Sequence, residues 1–407
     1  MQLKKRHRST TSAIRLAVAI VVVLAARAFA GSPSKTLYKF KDGNDGGHPA
    51  AGLVFDAAGS LYGTTGFGGG QTCNENEPCG TVFKLTPNLD GSWKESVLYR
   101  FKGGSDGQNP AAGLIFDAVG NLYGTTPATV FELTPNSDGT WTESVLYSFC
   151  QLEKCADGDG SVASLIFDAA GSLYGTTFGG GSSSAGTVFK LVPNSDGTWT
   201  ESVLHSFSGP DGADPAGGLI FDASGNLYGT TWSGGTGGGG IVFELTPNSD
   251  GSWKEHVLHA FKGEKDGSTP YASLTLDAAG NLYGTTYFGG AHKNGVVFKL
   301  DVSHKFSVIY AFNHDGANPY AGLTLDDAGN LYGATYAGGL ADDGVVFKLA
   351  PKQGGGWTYS VLHNFEGAPG MNPEGTLVLD KAGHLYGTTF NCANGEKCRG
   401  TAFEVTP

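Results

Sequence analysis

The residues in this chain that can do chemistry recur in register. Six aspartates, Asp45, Asp106, Asp157, Asp211, Asp266 and Asp315, each precede a glycine, and Asn372-Pro stands in the seventh position. Carboxylates that converge offer hard oxygen ligands, and Ca²⁺ is the cation they would take. Asp-Gly is equally an ordinary turn pair. A second series is aromatic. Phe178, Trp232, Tyr287, Tyr336 and Phe390 share one slot beside Gly-rich stretches, with Phe67 displaced by one residue. Rings left uncovered there suit stacking on a sugar or a peptide, and the plainer alternative is rim packing. Trp232 stands apart, because Trp93, Trp141, Trp199, Trp253 and Trp357 all fill a different slot that reads as packing. Trp232 with Tyr287 and Tyr336 is therefore the expected stacking surface. His205, His259 and His363 alternate with Tyr99, Tyr147 and Tyr310 in one slot and read as packed aromatics rather than acid–base groups.

The six cysteines form three local pairs, Cys73 with Cys79, Cys150 with Cys155 and Cys392 with Cys398. Disulfides are the natural reading in an exported chain. A zinc site built from two pairs is the rival, but none of the spacings is the tight Cys-x-x-Cys of zinc ribbons. There is no Gly-x-Ser-x-Gly elbow and no His-Glu-x-x-His. The Gly-rich residues 235–240 match Gly-x-Gly-x-x-Gly but run into a strand pattern rather than a helix, which argues against a dinucleotide site.

The elements that must position these residues follow from a repeat. The frame Asp-x-x-Gly-x-Leu-Tyr-Gly starts at Asp56, Asp117, Asp168, Asp222, Asp277, Asp326 and Asp380, with 49 to 61 residues between starts. In the fourth copy, residues 218–221 are a short apolar run (A), and residues 222–226 have turn chemistry. Residues 227–232 are rich in strand formers (B). A Gly-rich loop follows, then an alternating strand at 241–246 (C), a turn at 247–251 and a last strand at 253–261 (D). Short connections make each repeat a four-stranded antiparallel meander, and no window beyond the N-terminus has helical periodicity. One such sheet cannot bury both faces, whereas seven arranged radially can. The expected fold is an all-β, seven-bladed β-propeller.

The chain ends after a C strand, and residues 35–40 match the end of a D strand. The N-terminal strand is thus expected to complete the last blade and close the ring, with 28 strands in all. Residues 31–407 read as a single propeller domain. The second copy lacks almost all of its B–C loop, at 127–129, so a site built from these loops should be open there.

Residues 1–30 read as a signal peptide. Lys4, Lys5, Arg6 and Arg8 precede an 11-residue apolar run from Leu16 to Ala26, too short to span a bilayer, and Ala28-Phe-Ala30 fits a cleavage site. The mature chain is expected to be extracellular or periplasmic, without a transmembrane segment and monomeric. The whole chain carries a net charge of −12. Removing the segment leaves 20 basic against 38 acidic residues, a balance of −18, which disfavours nucleic acid as a partner.

The frame Gly-Leu-x-Phe-Asp-x-x-Gly-Asn-Leu-Tyr-Gly-Thr-Thr, followed by a Gly-rich loop and Gly-x-Val-Phe-Lys/Glu-Leu-Thr-Pro, resembles the GloVer (Gloeo/Verruco) tandem repeat family over residues 35–407. The resemblance implies an exported bacterial repeat protein, often joined to a C-terminal surface anchor; this chain stops at Pro407 without one. It implies no particular reaction. The A–B hairpin is also similar to that of NHL-type propellers, including streptogramin lyases, although no lyase His or Glu can be placed in this sequence. The expectation is a binding protein that recognises an extracellular glycan or peptide on the face carrying the B–C loops and D–A links, with no required cofactor. The alternatives are a polysaccharide or cyclic-peptide lyase or hydrolase on the same scaffold, and a purely structural envelope protein.

Overall fold

A computed structural model describes residues 33–70, 73, 79–367, 369–392 and 398–407. The expected signal peptide lies outside the described residues. Six sheets each run A-B-C-D in chain order, and the seventh joins the two ends of the chain. There the N-terminal strand Ser34–Lys39 pairs antiparallel with Thr401–Val405, Ser34 opposite Val405 and Lys39 opposite Thr401. The ring is closed as the sequence implies.

Two details differ from expectation. The A strands shrink to two residues, as in Val54–Phe55 and Ile220–Phe221. The residues before them line the axis instead of pairing. The described residues also form 29 strands rather than 28, because Met371–Pro373 pairs with the far end of the last B strand, Leu385–Asn391.

The repeated motif is accounted for residue by residue. In blade 1 the Oδ1 of Asp56 accepts from the amides of Ala58 and Ser60 at 2.9 and 2.8 Å, which holds the A–B turn. Its Oδ2 accepts from the Tyr62 hydroxyl at 3.0 Å and from Lys84 at 3.3 Å. Gly63 is glycine because a Cβ there would sit 2.7 Å from the ring of Phe83 on the C strand. The first Thr of the Thr-Thr pair is an inter-blade strut: Thr64 donates to the Ala112 carbonyl at 3.0 Å, and Thr388 closes the circle on the Ala51 carbonyl at 2.9 Å. The second Thr ties down the rim, as where Thr65 donates to the Phe67 carbonyl.

The core lies between blades. Each D strand is followed by a buried phenylalanine, and its ring packs on the C-strand phenylalanine of the next blade. Phe101 meets Phe131 at 5.1 Å, and Phe40 meets Phe83 at 4.8 Å across the closure. Each buried ring contributes about 1.5–3 kcal/mol relative to exposure. The motif tyrosines also reach across, Tyr62 to Trp141 and Tyr386 to Trp93, so the five repeated tryptophans are packing residues at the blade edges.

Candidate functional site

The B–C loops and D–A links occupy one face of the ring, and the cysteines lie there. Cys73–Cys79, Cys150–Cys155 and Cys392–Cys398 are disulfides, each within one loop or link, which answers the zinc alternative. Such bonds fit an oxidising, exported location.

The aspartates of the D–A links do not converge on the axis. Each is held by its own blade, at the foot of the D strand. Asp45 accepts from Tyr38 at 2.9 Å and from the Lys41 amide. Asp106 accepts from Tyr99 and the Lys102 amide, and Asp157 from Tyr147 and the amides of Gln151 and Leu152. Asp211 pairs with His205 and Asp266 with His259, both at 3.2 Å, and Asp315 accepts from Tyr310. The shared Tyr/His slot is thus the partner of the shared Asp slot. Asn372 is not the seventh member. It has φ 57° and donates to the Tyr336 carbonyl at 3.0 Å, as Asn318 with φ 55° does to Tyr287. No group of three or more His, Cys, Asp or Glu that would hold a metal occurs among the described residues.

The rim aromatics divide into three groups. Phe67 and Phe390 flank His48, at 5.3 and 4.6 Å between centroids, and the His48 ring bonds the Phe390 carbonyl through Nδ1 at 3.1 Å. Burial lowers the His48 pKa. Trp232, 39 % exposed, faces Phe178 at 5.7 Å. Tyr287 meets Tyr320 edge-on, and Tyr336 acts electrostatically on Tyr287 and feels Glu374, so these two belong to a different cluster. The expected trio of Trp232, Tyr287 and Tyr336 is therefore split: the ring partner of Trp232 among the described residues is Phe178.

That axial cluster contains residues that the motif reading missed. Seven D–A links meet around a cavity of about 90 Å³. The packing is close enough that a Cβ on Gly375 would lie 2.4 Å from the Ala51 carbonyl oxygen. One slot per link points into the mouth, and it reads Ala50, Ala111, Val162, Ala216, Tyr271, Tyr320 and Glu374. Four small residues line one side, and two tyrosines and a carboxyl line the other. Tyr271 and Tyr320 lie 4.1 Å apart between ring centroids, and Tyr287 meets Tyr320 edge-on at 6.0 Å. Glu374 is the single charged residue lining the cavity among the described residues, and burial alone pushes its carboxyl to about 7. Burial raises the pKa values of Tyr287, Tyr336 and Tyr271, and the Glu374 carboxylate adds to it, second for Tyr336, after Tyr336 for Tyr287, and against the lowering hydrogen bond of Tyr320 for Tyr271. The signal was available in sequence: the slot after the link proline (Ser161 in the third link) holds Ala or Val in four blades and a large polar residue in three consecutive ones.

Comparison with known proteins places the architecture. The virginiamycin B lyase of Staphylococcus aureus superposes with a TM-score of 0.56 at 12 % identity, over 92 % of this chain and 99 % of that one. A catalytically inactive form of that lyase with quinupristin gives a TM-score of 0.57, again at 12 % identity and with the same coverage. The extracellular domain of a hybrid two component system from B. thetaiotaomicron gives 0.55 at 11 % identity, over 91 % of this chain and 39 % of the other. At these identities the likeness is one of fold. No curated protein matches the chain in sequence. The profile of the Gloeobacter/Verrucomicrobia repeat matches residues 126–327 and 313–407, and with its seven-blade frame the chain belongs to the Gloeobacter/Verrucomicrobia repeat family.

Proposed function

We propose that this protein is an exported binding module that recognises a glycan or peptide on the face of the B–C loops and D–A links. The observation that carries the reading is the asymmetry of the axial mouth. The opposite face repeats one turn in every blade, whereas on this face aromatic and polar side chains gather over blades 5 to 7. Tyr271 and Tyr320 line a small cavity with Glu374, Tyr287 meets Tyr320 edge-on, and Trp232 with Phe178 adds a second aromatic pair on the rim. Concave surfaces with a few convergent polar groups and uncovered rings are where sugars and side chains are held. The test is retention of polysaccharide and peptide pools on immobilised protein. Tyr320→Ala is expected to release what the parent retains, and equal retention by both proteins would remove the reading.

One observation favours the enzymatic alternative. A carboxyl at about 7 inside a half-buried cavity has the proton affinity of a general acid or base at neutral pH. Streptogramin lyases share the fold, at 15 % identity in one solved case. Mass spectrometry of the retained pools distinguishes the two: new products that vanish in Glu374→Gln support catalysis, and unchanged pools support binding alone.

A further inference from the structure

We propose that the axial mouth is a cage for an alkylammonium group, the charged amine of an amino sugar or of a peptide. The inference rests on the binding reading above and assigns the chemistry of its deepest subsite. Three features of the cavity converge on it. The first is the carboxyl of Glu374, which stands alone: burial is the sole influence on its proton affinity, no basic side chain among the described residues lines the cavity, and apart from Tyr271 and Tyr320 its wall is backbone and small side chains. A half-buried carboxylate without a cation is costly, so the empty site holds its proton near neutrality. The second is the tyrosine wall. Tyr271 and Tyr320 pack at 4.1 Å and line the mouth with Glu374, Tyr287 is edge-on to Tyr320, and Tyr336 feels the Glu374 charge. Ring faces attract a cation and give an anion nothing, and the attraction grows as water is excluded. The third is size: a cavity of about 90 Å³ suits an ammonium head with a short stem.

The groups that face Glu374 electrostatically are Tyr271, Tyr287, Tyr320 and Tyr336, all with pKa values raised by burial and so neutral across the working range. Glu374 is the single mouth group that changes charge near pH 7. An entering ammonium favours the carboxylate, so the proton on Glu374 leaves to solvent as the ligand binds. Binding of methylammonium should therefore release a fraction of a proton at neutral pH and become proton-neutral near pH 9, where the carboxyl is already ionised and that amine is still protonated. A neutral hydroxyl or amide ligand would not produce this release.

The experiment is calorimetry with methylammonium, glucosamine and lysinamide, each in two buffers of different ionisation enthalpy. N-acetylglucosamine and Nα,Nε-diacetyl-lysinamide are the neutral controls. The free amines are expected to bind with proton release, and the acetylated forms to bind at least about tenfold more weakly. Glu374→Gln keeps the shape and removes the charge. It is expected to abolish the proton release and weaken the amines by about tenfold, while its melting temperature at pH 5, where the parent carboxyl is also neutral, stays that of the parent. Tyr320→Phe keeps the ring and should retain binding, and Tyr320→Ala should lose it. A preference for glucosamine over lysinamide points to an amino sugar, and the reverse to a peptide amine. Equal affinity of amines and acetylated controls, or amine binding unchanged in Glu374→Gln, overturns the cage even if glycans or peptides are retained elsewhere on the face. Amine binding with proton release, but no retained glycan or peptide, would uphold the cage and overturn the wider reading.

Discussion

The imidazole of His259 lies flat on the ring of Phe306, with centroids 3.7 Å apart and planes within 5° of parallel. Tyr310 and Tyr359 repeat the arrangement one interface on, at 4.1 Å and 4°. Phe306 faces Leu300, and Tyr359 faces Leu349, in the register that elsewhere holds a glutamate: Glu95 opposite Leu85, Glu143 opposite Leu133, Glu201 opposite Leu191 and Glu255 opposite Leu245. One slot between blades is thus filled by a ring at two interfaces and by a carboxyl at four.

Those four carboxyls make stability depend on pH. Each has one oxygen buried without a hydrogen-bond partner. Burial, then the D–A link aspartate of the neighbouring blade (Asp45, Asp106, Asp157 and Asp211 in turn), pushes each from 4.5 to about 7. A raised carboxyl binds its proton more tightly when folded. The stability it contributes is fully present below about pH 4.5 and is lost as pH rises through about 7. His205, His259 and His363 act in the opposite sense, because burial lowers their pKa values and their contribution is lost as pH falls below 6.5. The expected outcome is that the fourfold variant E95Q/E143Q/E201Q/E255Q removes a decline in melting temperature between about pH 5 and about pH 8, each site contributing on the order of 1 kcal/mol after solvent screening. Thermal scans across that range check it, and an unchanged slope would count against the buried-carboxyl account.

Ring closure should dominate mechanical integrity. Phe40 is fully buried and packs on Phe83 of blade 1, just beyond the strand that pairs with Thr401–Val405. Phe40→Ala is expected to cost about 3–5 kcal/mol, the range for emptying a buried aromatic site. Deleting residues 35–40 bares the edge of the last blade and should cause aggregation. Light scattering with denaturant unfolding measures both, and a soluble deletion with the parent's melting curve would contradict the closure.

The link aspartates should behave as struts. Asp157 is engaged by Tyr147 at 2.9 Å and by two backbone amides. Asp157→Ala leaves those donors unpaired and is expected to cost about 1–3 kcal/mol. Calcium added to chelated protein is expected to leave the melting temperature where it was, since these carboxylates are held one per blade. A calcium-dependent rise that Asp157→Ala abolishes would restore the cation reading.

Two tryptophans separate binding from folding. Trp232 is 39 % exposed beside Phe178, whereas Trp253 is packed against Tyr174 at 6.4 Å between centroids. Trp232→Ala is expected to weaken retention of a bound glycan or peptide by about 1–3 kcal/mol, the scale of a binding anchor, with little change in melting temperature. Trp253→Ala should lower the melting temperature first. Retention per folded molecule, measured beside the melting curve for each variant, decides the assignment.

The sequence by itself determined whatever is local and repeated. Asp56, Gly59 and Tyr62 specify a turn and a tyrosine anchor within a few residues, and seven copies leave a propeller as the way to bury both sheet faces. The disulfide pairs were legible for the same reason, since each closes over a separation of five or six residues. What only the tertiary structure decided depends on convergence. Asp45 and its counterparts look like a ring in sequence, yet the fold sets each against a Tyr or His of its own blade, away from the axis. Glu374 looks like one acid among many, yet seven links packed to glycine spacing carry it into a cavity beside Tyr271 and Tyr320, which lie about 100 and 50 residues away in the chain. Burial and proton affinity are properties of that meeting, so no single repeat contains them.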